Sequence, residues 1–534
     1  MVPDGAVDAQ TVSQAARRRT FAVISHPDAG KSTLTEALAL HTGAIVAAGH
    51  VNGKAGRRGV VSDFRAMEQA RGISISSAAL QLEYGGHVLN LVDTPGHADF
   101  SEDTYRVLTA VDCAVMLIDA ARGMERQTRK LFAVCKAQGL PLITVVNKWD
   151  RPGRAALELM DELETSTGMV PTPLTWPVGV AGDFRGVLDR RTADYVAFTR
   201  TAGGALRAPQ HRMDAAAARL RESVDWDTAV DEAALLSATG ADHDPAAFLA
   251  GGSSPVLFAS AVLNFGVGQL LDVLLDTAPA AQPRRDRDGG ERALDAPFSG
   301  QVFKVAAGMD RAHRDRVAFV RVCSGRFERG MTVVNARTGR PFATKYAQQL
   351  FGDARTVLDE GWPGDVIGLV NATALHVGDT VYAAVPITYP PIPTFAPEHF
   401  AVARAKDISR YKQFQRGISE LDGEGVVQVL RSDLRGEQAP VLAAVGPMQF
   451  EVAQDRMAGD FNAPVDLQLL PYTLAFRTDA LSVPVLARER GAEVLTRTDG
   501  TLLAVFADAW RAKGVRRDHP DVRLDPLVAA DAAA

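Results

Sequence analysis

Short apolar runs alternate with longer helical patterns along the first third of the chain. Five runs have the length of buried strands, and they lie at 21–24, 88–92, 114–118, 142–146 and 256–259. After the last run, Val267, Leu270, Leu271 and Leu274 recur at spacings that place them on one face of a helix. Strands that alternate with helices predict a parallel sheet covered by helices, which is an α/β domain.

The periodicity changes after residue 290. Short apolar runs separated by turn residues lie near 317–322, 332–334 and 366–369, and this spacing is typical of a small closed β-barrel. Further along, two helices and a strand at 426–430 predict an α+β domain. The apolar faces of these two helices consist of Tyr411, Phe414, Ile418 and Leu421 in the first and Phe450, Ala453 and Met457 in the second.

Two segments have the composition of linkers. Residues 279–290 begin with a proline, become strongly polar and end in two glycines, and residues 386–397 are rich in proline. The predicted division is a flexible N-terminus at 1–17, an α/β domain at 18–282, a β-barrel at 291–385, an α+β domain at 395–520 and a C-terminal tail at 521–534. Residues 153–254 are expected to form an insertion in the first domain, with a helix at 213–224 whose apolar face includes Leu220.

Composition narrows the class of protein. A chain of 534 residues has room for about three domains of ~150 residues, and a net charge of -6 argues against coating nucleic acid by bulk charge, although a local basic patch remains possible. Three scattered cysteines, Cys113, Cys135 and Cys323, form no disulfide framework or metal-ligand spacing. No secretory signal or apolar run long enough to cross a membrane is present, so we expect a soluble cytoplasmic protein.

The residues after the first predicted strand have the composition of a phosphate-binding loop. Backbone N–H groups in such a loop, with a helix N-terminus, form an anion site. Lys31 can reach the β- and γ-phosphates, and the Ser32 hydroxyl can ligate Mg²⁺. Asp28 at the tip either places a cation or water near the γ-phosphate or is an ordinary turn residue. The loop consists of Ser25, His26, Pro27, Asp28, Ala29, Gly30, Lys31 and Ser32.

A second motif follows the strand at 88–92. Asp93 is placed to hold the Mg²⁺ shell, commonly through water. The backbone N–H of Gly96 can sense the γ-phosphate, and His97 can orient or polarise an attacking water. The motif consists of Asp93, Thr94, Pro95, Gly96 and His97.

A third motif ends the strand at 142–146 and predicts recognition of guanine. Asp150 can accept hydrogen bonds from N1–H and the exocyclic amine of guanine, and adenine lacks these donors. We expect Asn147 to brace the phosphate loop and the stem of Lys148 to lie over the base. The motif is Asn147, Lys148, Trp149 and Asp150, and Ser260 and Ala261 are expected to complete the pocket through a backbone N–H to the guanine oxygen.

A fourth segment lies between the first two motifs. Ser74 within 71–75 is a candidate second Mg²⁺ ligand. The preceding residues 49–71 are either a solvated loop or a segment that the γ-phosphate orders and hydrolysis releases. Four motifs in this order predict a P-loop GTPase that uses GTP and Mg²⁺.

These motifs resemble those of the translational GTPases. The shared segments are SHPDAGK at 25–31, RGISI at 71–75 and DTPGH at 93–97. The first of them, together with FSEDTYR at 100–106, is more similar to the release factor 3 family than to elongation factor Tu. The likeness covers roughly residues 18 to 520 and includes MDRAHRDRVAF at 309–319, FAPE at 395–398 and GEGVVQV at 423–429.

The resemblance implies a bacterial factor that binds the ribosome after peptide release and promotes departure of the class I peptide chain release factor. It implies that GTP binding drives a ribosome rearrangement and that hydrolysis lets the factor leave. His97 would match the catalytic histidine, acting when ribosomal RNA orders the site, and a monomer is expected. Ser74 stands where many translational GTPases carry threonine, and Trp149 stands where leucine or methionine is commoner.

Three alternatives remain at this stage. A translocase like elongation factor G, or a ribosome-protection protein, needs further C-terminal domains, whereas about 140 residues follow the proline-rich segment, which is room for one domain. A regulatory GTP-binding switch with little hydrolysis is disfavoured by His97 and Ser74. An ATP-dependent enzyme on a similar loop is disfavoured by the motif at 147–150.

Overall fold

The computed structural model describes residues 9–45, 79–95, 97–201, 206–307, 316–351, 354–370, 372, 374–436 and 438–527. The predicted sites at Ser74 and Gly96 lie outside these described residues, as does most of the segment 309–319.

The first domain is a mainly parallel sheet covered by helices on both faces. Its strand order is β2-β3-β1-β4-β5-β11-β6, and only β2 runs antiparallel to its neighbour. The strands up to residue 258 are β1 Arg18–Ser25, β2 Ala79–Tyr84, β3 His87–Asp93, β4 Cys113–Asp119, β5 Leu142–Asn147, β6 Val170–Pro173, β7 Thr175–Val178, β8 Gly186–Asp189, β9 Asp194–Phe198, β10 Gln210–Met213 and β11 Ser253–Phe258.

The helices of this domain flank the sheet and the insertion. They are α1 Ala9–Ala16, α2 Lys31–Thr42, α3 Ser101–Ala110, α4 Arg126–Ala137, α5 Ala156–Thr167, α6 Ala215–Glu222, α7 Val224–Ala238, α8 Pro245–Leu249 and α9 Val267–Thr277. Every residue of β4 and β5 is buried, and separate apolar clusters fill the two faces of the sheet. This two-sided burial explains why the five central strands are continuous apolar runs in the sequence, and their prediction is confirmed.

Two predictions for the first domain need correction. Residues 9–16, which were expected to be flexible, form α1, whose Thr11 and Ala15 are buried. The helix expected at 213–224 begins only at residue 215, after an Asp214 cap, and Leu220 is 89% exposed instead of lying on the buried face. An alanine-rich helix carries few large side chains, so its buried face cannot be deduced from periodicity.

The insertion at 153–254 contains a four-stranded antiparallel sheet in the order β10-β9-β8-β7. Helix α7 packs on this sheet through Trp226, whose ring contacts Tyr195. The predicted bounds of the insertion need correction, because α5 and β6 lie within 153–254 and β6 pairs with β11 in the main sheet. The inserted part is the antiparallel sheet with its helices, between β6 and β11.

The second domain is built from short antiparallel strands in the order β18-β17-β23-β14-β15-β22-β19. Its inward-facing apolar side chains form one cluster that includes Val302, Val320 and Ile367. The strands are β12 Arg284–Arg285, β13 Glu291–Arg292, β14 Ser299–Ala307, β15 Arg316–Ser324, β16 Phe327–Glu328, β17 Thr332–Asn335, β18 Pro341–Ala343, β19 Ala347–Phe351, β20 Ala354–Val357, β21 Glu360–Gly361, β22 Val366–Val370 and β23 Thr380–Tyr382.

The first two domains meet through buried polar contacts. Strand β19 pairs with β2 at Phe351 and Leu80, which joins the barrel to the edge of the first sheet. The guanidinium of Arg321 lies 2.5 Å from an Asp112 carboxylate oxygen, and both side chains are buried.

The third domain is an eight-stranded sheet in the order β27-β24-β26-β25-β29-β30-β28-β31. Helices α10 and α11 pack on one end of it through Phe414, Leu421 and Met457. Its elements are β24 His399–Ala405, α10 Tyr411–Glu424, β25 Gln428–Arg431, β26 Val441–Ala444, α11 Met448–Gly459, β27 Val465–Leu469, β28 Leu474–Thr478, α12 Val483–Leu486, β29 Ala492–Arg497, β30 Leu502–Phe506, α13 Ala509–Asp518 and β31 Asp525–Pro526.

The predicted fold class is therefore confirmed: an α/β domain, a β-barrel-like domain and an α+β domain follow one another along the chain. None of the helices within the described ranges has the length and apolar character needed to cross a bilayer.

Candidate functional site

The loop between β1 and α2 occupies the carboxyl edge of the central strand. Gly30 has a φ of 96°, and a Cβ there would lie 2.5 Å from Nδ2 of Asn147, so glycine is required by both conformation and space. Helix α2 begins at the next residue without a side-chain cap. The first-turn N–H groups of a helix have no intrahelical partners, and they favour an anion at this end.

Lys31 and Asp93 form an ion pair at the floor of this loop. The ammonium lies 2.7 Å from Oδ1 of Asp93, and both side chains are buried. The same Asp93 oxygen accepts from the backbone N–H of Thr94, whose hydroxyl donates to the carbonyl of Val23 at 2.8 Å. Because β1 and β3 are parallel neighbours with Val23 opposite Asp93, the first two sequence motifs meet at one edge of the sheet.

The donor set at this edge suits magnesium. Ser32 lies in the first turn of α2 beside Lys31, whose ammonium contacts the Asp93 carboxylate. Hydroxyl and carboxylate oxygens are the ligands that Mg²⁺ prefers, and it is usually held by one or two protein groups plus phosphate oxygens and water.

Asn147 connects the phosphate loop to the base motif. Its Nδ2 donates to the carbonyl of Ala29 at 2.8 Å, and its Oδ1 accepts from the backbone N–H of Ala261 at 2.9 Å. The side chain of Asp150 is held nearby, because the hydroxyl of Ser260 donates to its Oδ1 at 2.6 Å. The loops that follow β1, β5 and β11 are thereby tied into one pocket.

Lys148 spans this pocket from the base motif to the phosphate loop. Its ammonium donates to the carbonyl of Asp28 and, at 2.9 Å, to Oδ2 of Asp119. Burial alone would raise the pKa of Asp119, but the Lys148 ammonium and the backbone N–H of Ala121 hold that pKa below its ordinary value. Asp119 is therefore an anion that fixes the position of Lys148.

Asp119 was missed in the sequence motifs. It is the last residue of β4, and β4 lies between β1 and β5, so its carboxylate opens at the same edge as the two predicted loops. Its position could have indicated a site residue, because ligands bind at the carboxyl ends of the strands in sheets of this kind.

The remaining residues of the phosphate loop differ in exposure. His26 is buried, with Nε2 2.9 Å from a carboxylate oxygen of Glu125 at the start of α4. Burial lowers the pKa of His26, although Glu125 acts in the opposite direction. The Ser25 hydroxyl donates to the His26 carbonyl, and Asp28 is exposed at the tip with a φ of 66°. Pro27, which lies between them, is half-buried.

Trp149 and His97 differ in whether their side chains can reach a nucleotide. The Trp149 ring is 1% exposed and packs edge-on against Phe258 at 4.8 Å, so its side chain belongs to the core and only its backbone can face a nucleotide. The His97 side chain is 32% exposed, and its Nδ1 lies 3.1 Å from Oδ1 of Asp99. Pro95, in the same turn, is buried and accepts from the Thr104 hydroxyl through its carbonyl.

Comparison with known protein families assigns all three domains. Residues 16–280 match the model described as Elongation factor Tu GTP binding domain, residues 297–384 match Elongation factor G domain 2, and residues 389–516 match Class II release factor RF3, C-terminal domain. The fold and the pocket thus define the class: this is a GTP-hydrolysing translation factor that binds guanine nucleotides.

Full-length relatives identify the family. The chain is 45% identical to peptide chain release factor 3 of Cyanothece sp. strain PCC 7425, covering 98% of this chain and 97% of the relative. The same factor of Synechocystis sp. is 48% identical, with 96% and 94% covered. The chain belongs to the peptide chain release factor 3 family and is a GTPase of translation termination, which confirms the resemblance found in the motifs.

A solved structure supports the fold. The crystal structure of the Thermus thermophilus protein ttk003000868 superposes with a TM-score of 0.68 at 22% identity, covering 87% of this chain and 71% of that one. At this identity the likeness concerns the fold alone.

Proposed function

We propose that the protein is a ribosome-stimulated GTPase that promotes departure of a class I release factor from the ribosome after peptide release. The observation that supports this most is the pocket itself: the guanine motif, the phosphate loop and the turn that carries His97 all open at the carboxyl edge of one sheet. The pocket lies in the first domain of a chain whose three domains match families of translation factors, the third of them release factor 3.

In this proposal the predicted site residues keep their sequence-derived roles, except that the side chain of Trp149 belongs to the core. The backbone N–H groups of residues 28–32 and the Lys31 ammonium bind the phosphates, and Asp150 binds N1–H and the amine of guanine. Ser260 orients the Asp150 carboxylate. The backbone N–H of Ala261 donates to Asn147 in this structure, and in the proposal it turns to the guanine oxygen when the nucleotide binds. Asp28, at the exposed tip of the loop, is retained as a candidate for placing a cation or water near the γ-phosphate.

Ser32, Asp93 and Ser74 would hold the magnesium ion, Asp93 through water. The ion would neutralise charge on the β- and γ-phosphate oxygens. Lys31 would exchange its contact with Asp93 for contacts to phosphate oxygens, which leaves the Asp93 carboxylate to the water shell of the ion.

Hydrolysis adds water to the γ-phosphorus and breaks its bond to the oxygen that bridges to the β-phosphate, which yields GDP and inorganic phosphate. We assign the orientation of this water to His97, and the ordering of His97 to ribosomal RNA. The ribosome would then control the rate, because the isolated protein leaves this ring partly exposed.

Helix α3, which follows the His97 turn, would transmit the nucleotide state to the other domains. Asp103 lies 3.6 Å from the ammonium of Lys304 in the barrel, and the carbonyl of Thr109 accepts from Arg284 at 2.6 Å. On the third domain, the carbonyl of Glu424 accepts from Arg106 at 3.5 Å. A shift of α3 on loss of the γ-phosphate therefore changes contacts to both neighbouring domains.

We further propose that the functional units are 18–282, 291–385 and 395–520, and that the protein acts as a monomer in the cytoplasm. Each unit holds an apolar cluster of its own, and a larger cluster joins the first unit to Phe303 and Phe319 of the barrel. The prediction of a tail from residue 521 needs correction, because Leu524 is buried in the third domain and β31 pairs with β28 of its sheet.

The test uses ribosomes stopped at a termination codon, with the peptide released and a fluorescent class I release factor bound. We expect the protein with GTP to accelerate dissociation of that factor, and the protein without nucleotide to have little effect. Dissociation at the same rate with and without the protein and GTP would contradict the proposal.

A His97→Ala variant tests the catalytic assignment in the same system. We expect GTP affinity to be retained and ribosome-stimulated turnover to fall by about 100-fold or more. His211→Ala is the matched control, because His211 is exposed on β10 in the insertion. Normal turnover of His97→Ala on added ribosomes would remove His97 from the mechanism.

A further inference from the structure

Asp99 links the ring of His97 to the third domain. One carboxylate oxygen, Oδ1, lies 3.1 Å from Nδ1 of His97, and the other, Oδ2, accepts from the backbone N–H of Met448 at 2.7 Å. The Asp99 side chain is 13% exposed, so both contacts are largely shielded from water. A single carboxylate therefore joins the turn that follows β3 to a helix nearly 350 residues further along the chain.

The third domain presents a helix end that lacks a cap of its own. Met448 is the first residue of α11, and the N-cap residue Pro447 makes no side-chain capping bond. A carboxylate at a helix N-terminus is stabilised by unpaired N–H groups and by the helix dipole. Asp99 thus serves as the capping side chain of α11, although it comes from another domain.

The approach of Asp99 to this helix requires Gly446. A Cβ at Gly446 would lie 2.2 Å from Cγ of Asp99, which is too close for any side chain. The turn around Gly446 is itself held, because Oε1 of Gln449 accepts from the N–H groups of Val445 and Gly446 at 2.7 and 3.1 Å. The turn before α11 is therefore held in place by these hydrogen bonds, and a shift of Asp99 would break its bond to the backbone N–H of Met448.

The carboxylate also bears on which ring nitrogen of His97 carries the proton. In the structure Nδ1 accepts from the backbone N–H of Asp99 at 3.3 Å, and Oδ1 of Asp99 lies 3.1 Å from the same nitrogen. A proton on Nδ1 would be donated to this carboxylate oxygen, whereas the unprotonated Nδ1 accepts from the N–H and sets its lone pair against the anion. The first arrangement is favoured, because a hydrogen bond to an ionised acceptor is the stronger of the two.

We propose that Asp99 is a positioning residue: anchored by the N-terminus of α11, it keeps the proton on Nδ1 of His97 and leaves Nε2 as the acceptor. The third domain thereby influences which nitrogen of the His97 ring can accept a hydrogen bond from the attacking water. The effect on hydrolysis rests on the proposed role of His97, whereas the effect on the ring proton does not.

Two variants disturb this link from opposite sides. In Asp99→Asn, the amide oxygen can still accept from Met448, which turns the amide NH₂ towards Nδ1 of His97 and reverses the donor direction. In Gly446→Ala, the new methyl group displaces the Asp99 carboxylate, although no residue of the first domain is altered. Gly459→Ala is the matched control, because Gly459 ends the same helix and a Cβ there meets nothing within 4 Å.

The direct readout is the nitrogen NMR spectrum of histidine-labelled full-length protein, at mildly alkaline pH where ordinary imidazoles are neutral. The His97 signals are assigned by their loss in His97→Ala. We expect the Nδ1–H form in the parent and in Gly459→Ala, and a shift towards the Nε2–H form in Asp99→Asn and Gly446→Ala. An unchanged His97 signal in both test variants would overturn the proposal, and a change in Asp99→Asn alone would overturn the part played by the third domain.

A second readout separates this inference from the proposed function. Single-turnover GTP hydrolysis on ribosomes should fall by roughly tenfold or more in Asp99→Asn and Gly446→Ala, with GTP affinity retained. Parental hydrolysis together with the shifted ring proton would overturn the proposed role of His97. Parental hydrolysis with an unshifted ring proton would overturn the role of Asp99 instead.

Discussion

At the scale of single residues, the pocket is held by side chains that contact one another before any ligand is considered. Asn147 joins two loops through both ends of its amide, and Lys148 joins the base motif to the carbonyl of Asp28. Such contacts reduce the conformational freedom that nucleotide binding would otherwise have to restrict. Affinity should therefore depend on residues that never touch the nucleotide.

Asp119 provides a test of this dependence. Asp119→Asn removes the charge that holds the Lys148 ammonium, and loss of a charge-assisted hydrogen bond costs about 1–3 kcal/mol. We expect GTP and GDP to bind roughly tenfold more weakly, and by the same factor, because Lys148 does not contact the γ-phosphate in this arrangement. Equilibrium titration of both nucleotides measures this, with the exposed Asp161→Asn on α5 as control. Parental affinities, or weakening of GTP alone, would contradict the role given to Asp119.

Much of the pocket was predictable from local sequence, because each motif follows a buried strand and parallel strands end at the same edge. Glu125 and Asp99 could not be predicted in this way, because each acts on a partner that only the fold brings near. Asp119 ends a buried strand, as the motifs do, but its contact with Lys148 is evident only from the fold. Trp149 shows the limit of a motif: it lies within the base motif, but its ring packs against Phe258 and only its backbone can face a nucleotide. Motif membership does not tell which way a side chain points.

At the scale of elements, burial on both faces explains which predictions succeeded. Strands such as β4 and β5 are buried throughout and mostly apolar, and a run of this kind bounded by turns is recognisable without neighbours. Helix α6 lacks that signal, since its alanines fit either face and only the fold decides that Ala218 is buried and Leu220 is exposed. The strand predicted at 426–430 was found two residues later, because the turn after α10 uses the first two.

Helix α2 carries a buried histidine that should make stability depend on pH. Burial, reinforced by the nearby charge of Arg207, lowers the pKa of His41 to about 4 from an ordinary 6.5. The unfolded chain therefore binds a proton more readily than the folded one below pH 6.5. Stability contributed by neutral His41 is present above that pH and is lost as pH falls towards 4.

His41→Leu should remove this dependence. Between pH 7 and pH 5 the parent should lose about 2 kcal/mol of unfolding free energy more than the variant, as follows from 1.36 kcal/mol for each unit of pKa difference. Urea unfolding at the two pH values measures the difference, and His211→Leu at an exposed site is the control. Equal losses in the parent and His41→Leu would show that His41 does not contribute.

At the scale of the whole molecule, changes of periodicity along the sequence predict the number and types of domains. They do not predict the contacts between the domains. The contacts between domains join residues far apart in sequence, and several are polar, as with Arg321 and Asp112 or Asp99 and Met448. Polar residues on a strand or loop are ordinarily assigned to solvent, so no local pattern marks them as interface. The sequence thus predicts each domain separately, but it does not predict how the domains are arranged.

The Arg321–Asp112 pair tests how far the first two domains depend on each other. Arg321→Met leaves the Asp112 carboxylate buried without its partner, and breaking such a pair costs about 3 kcal/mol. We expect a lower urea midpoint and a larger radius of gyration by X-ray scattering. Adding Asp112→Asn should recover part of the stability, because it removes the unpaired charge. A parental midpoint for Arg321→Met would show that the junction is held by other contacts.

The central claim is a single pocket that reads guanine through Asp150, and competition titration with GTP, XTP and ATP tests it most directly. Two hydrogen bonds worth about 1–3 kcal/mol each predict that the parent prefers GTP to ATP by at least about 30-fold. Asp150→Asn should reverse the preference between GTP and XTP, since an amide can donate to the extra carbonyl of xanthine. Equal binding of GTP and ATP by the parent, or GTP selectivity that Asp150→Asn leaves intact, would contradict the account.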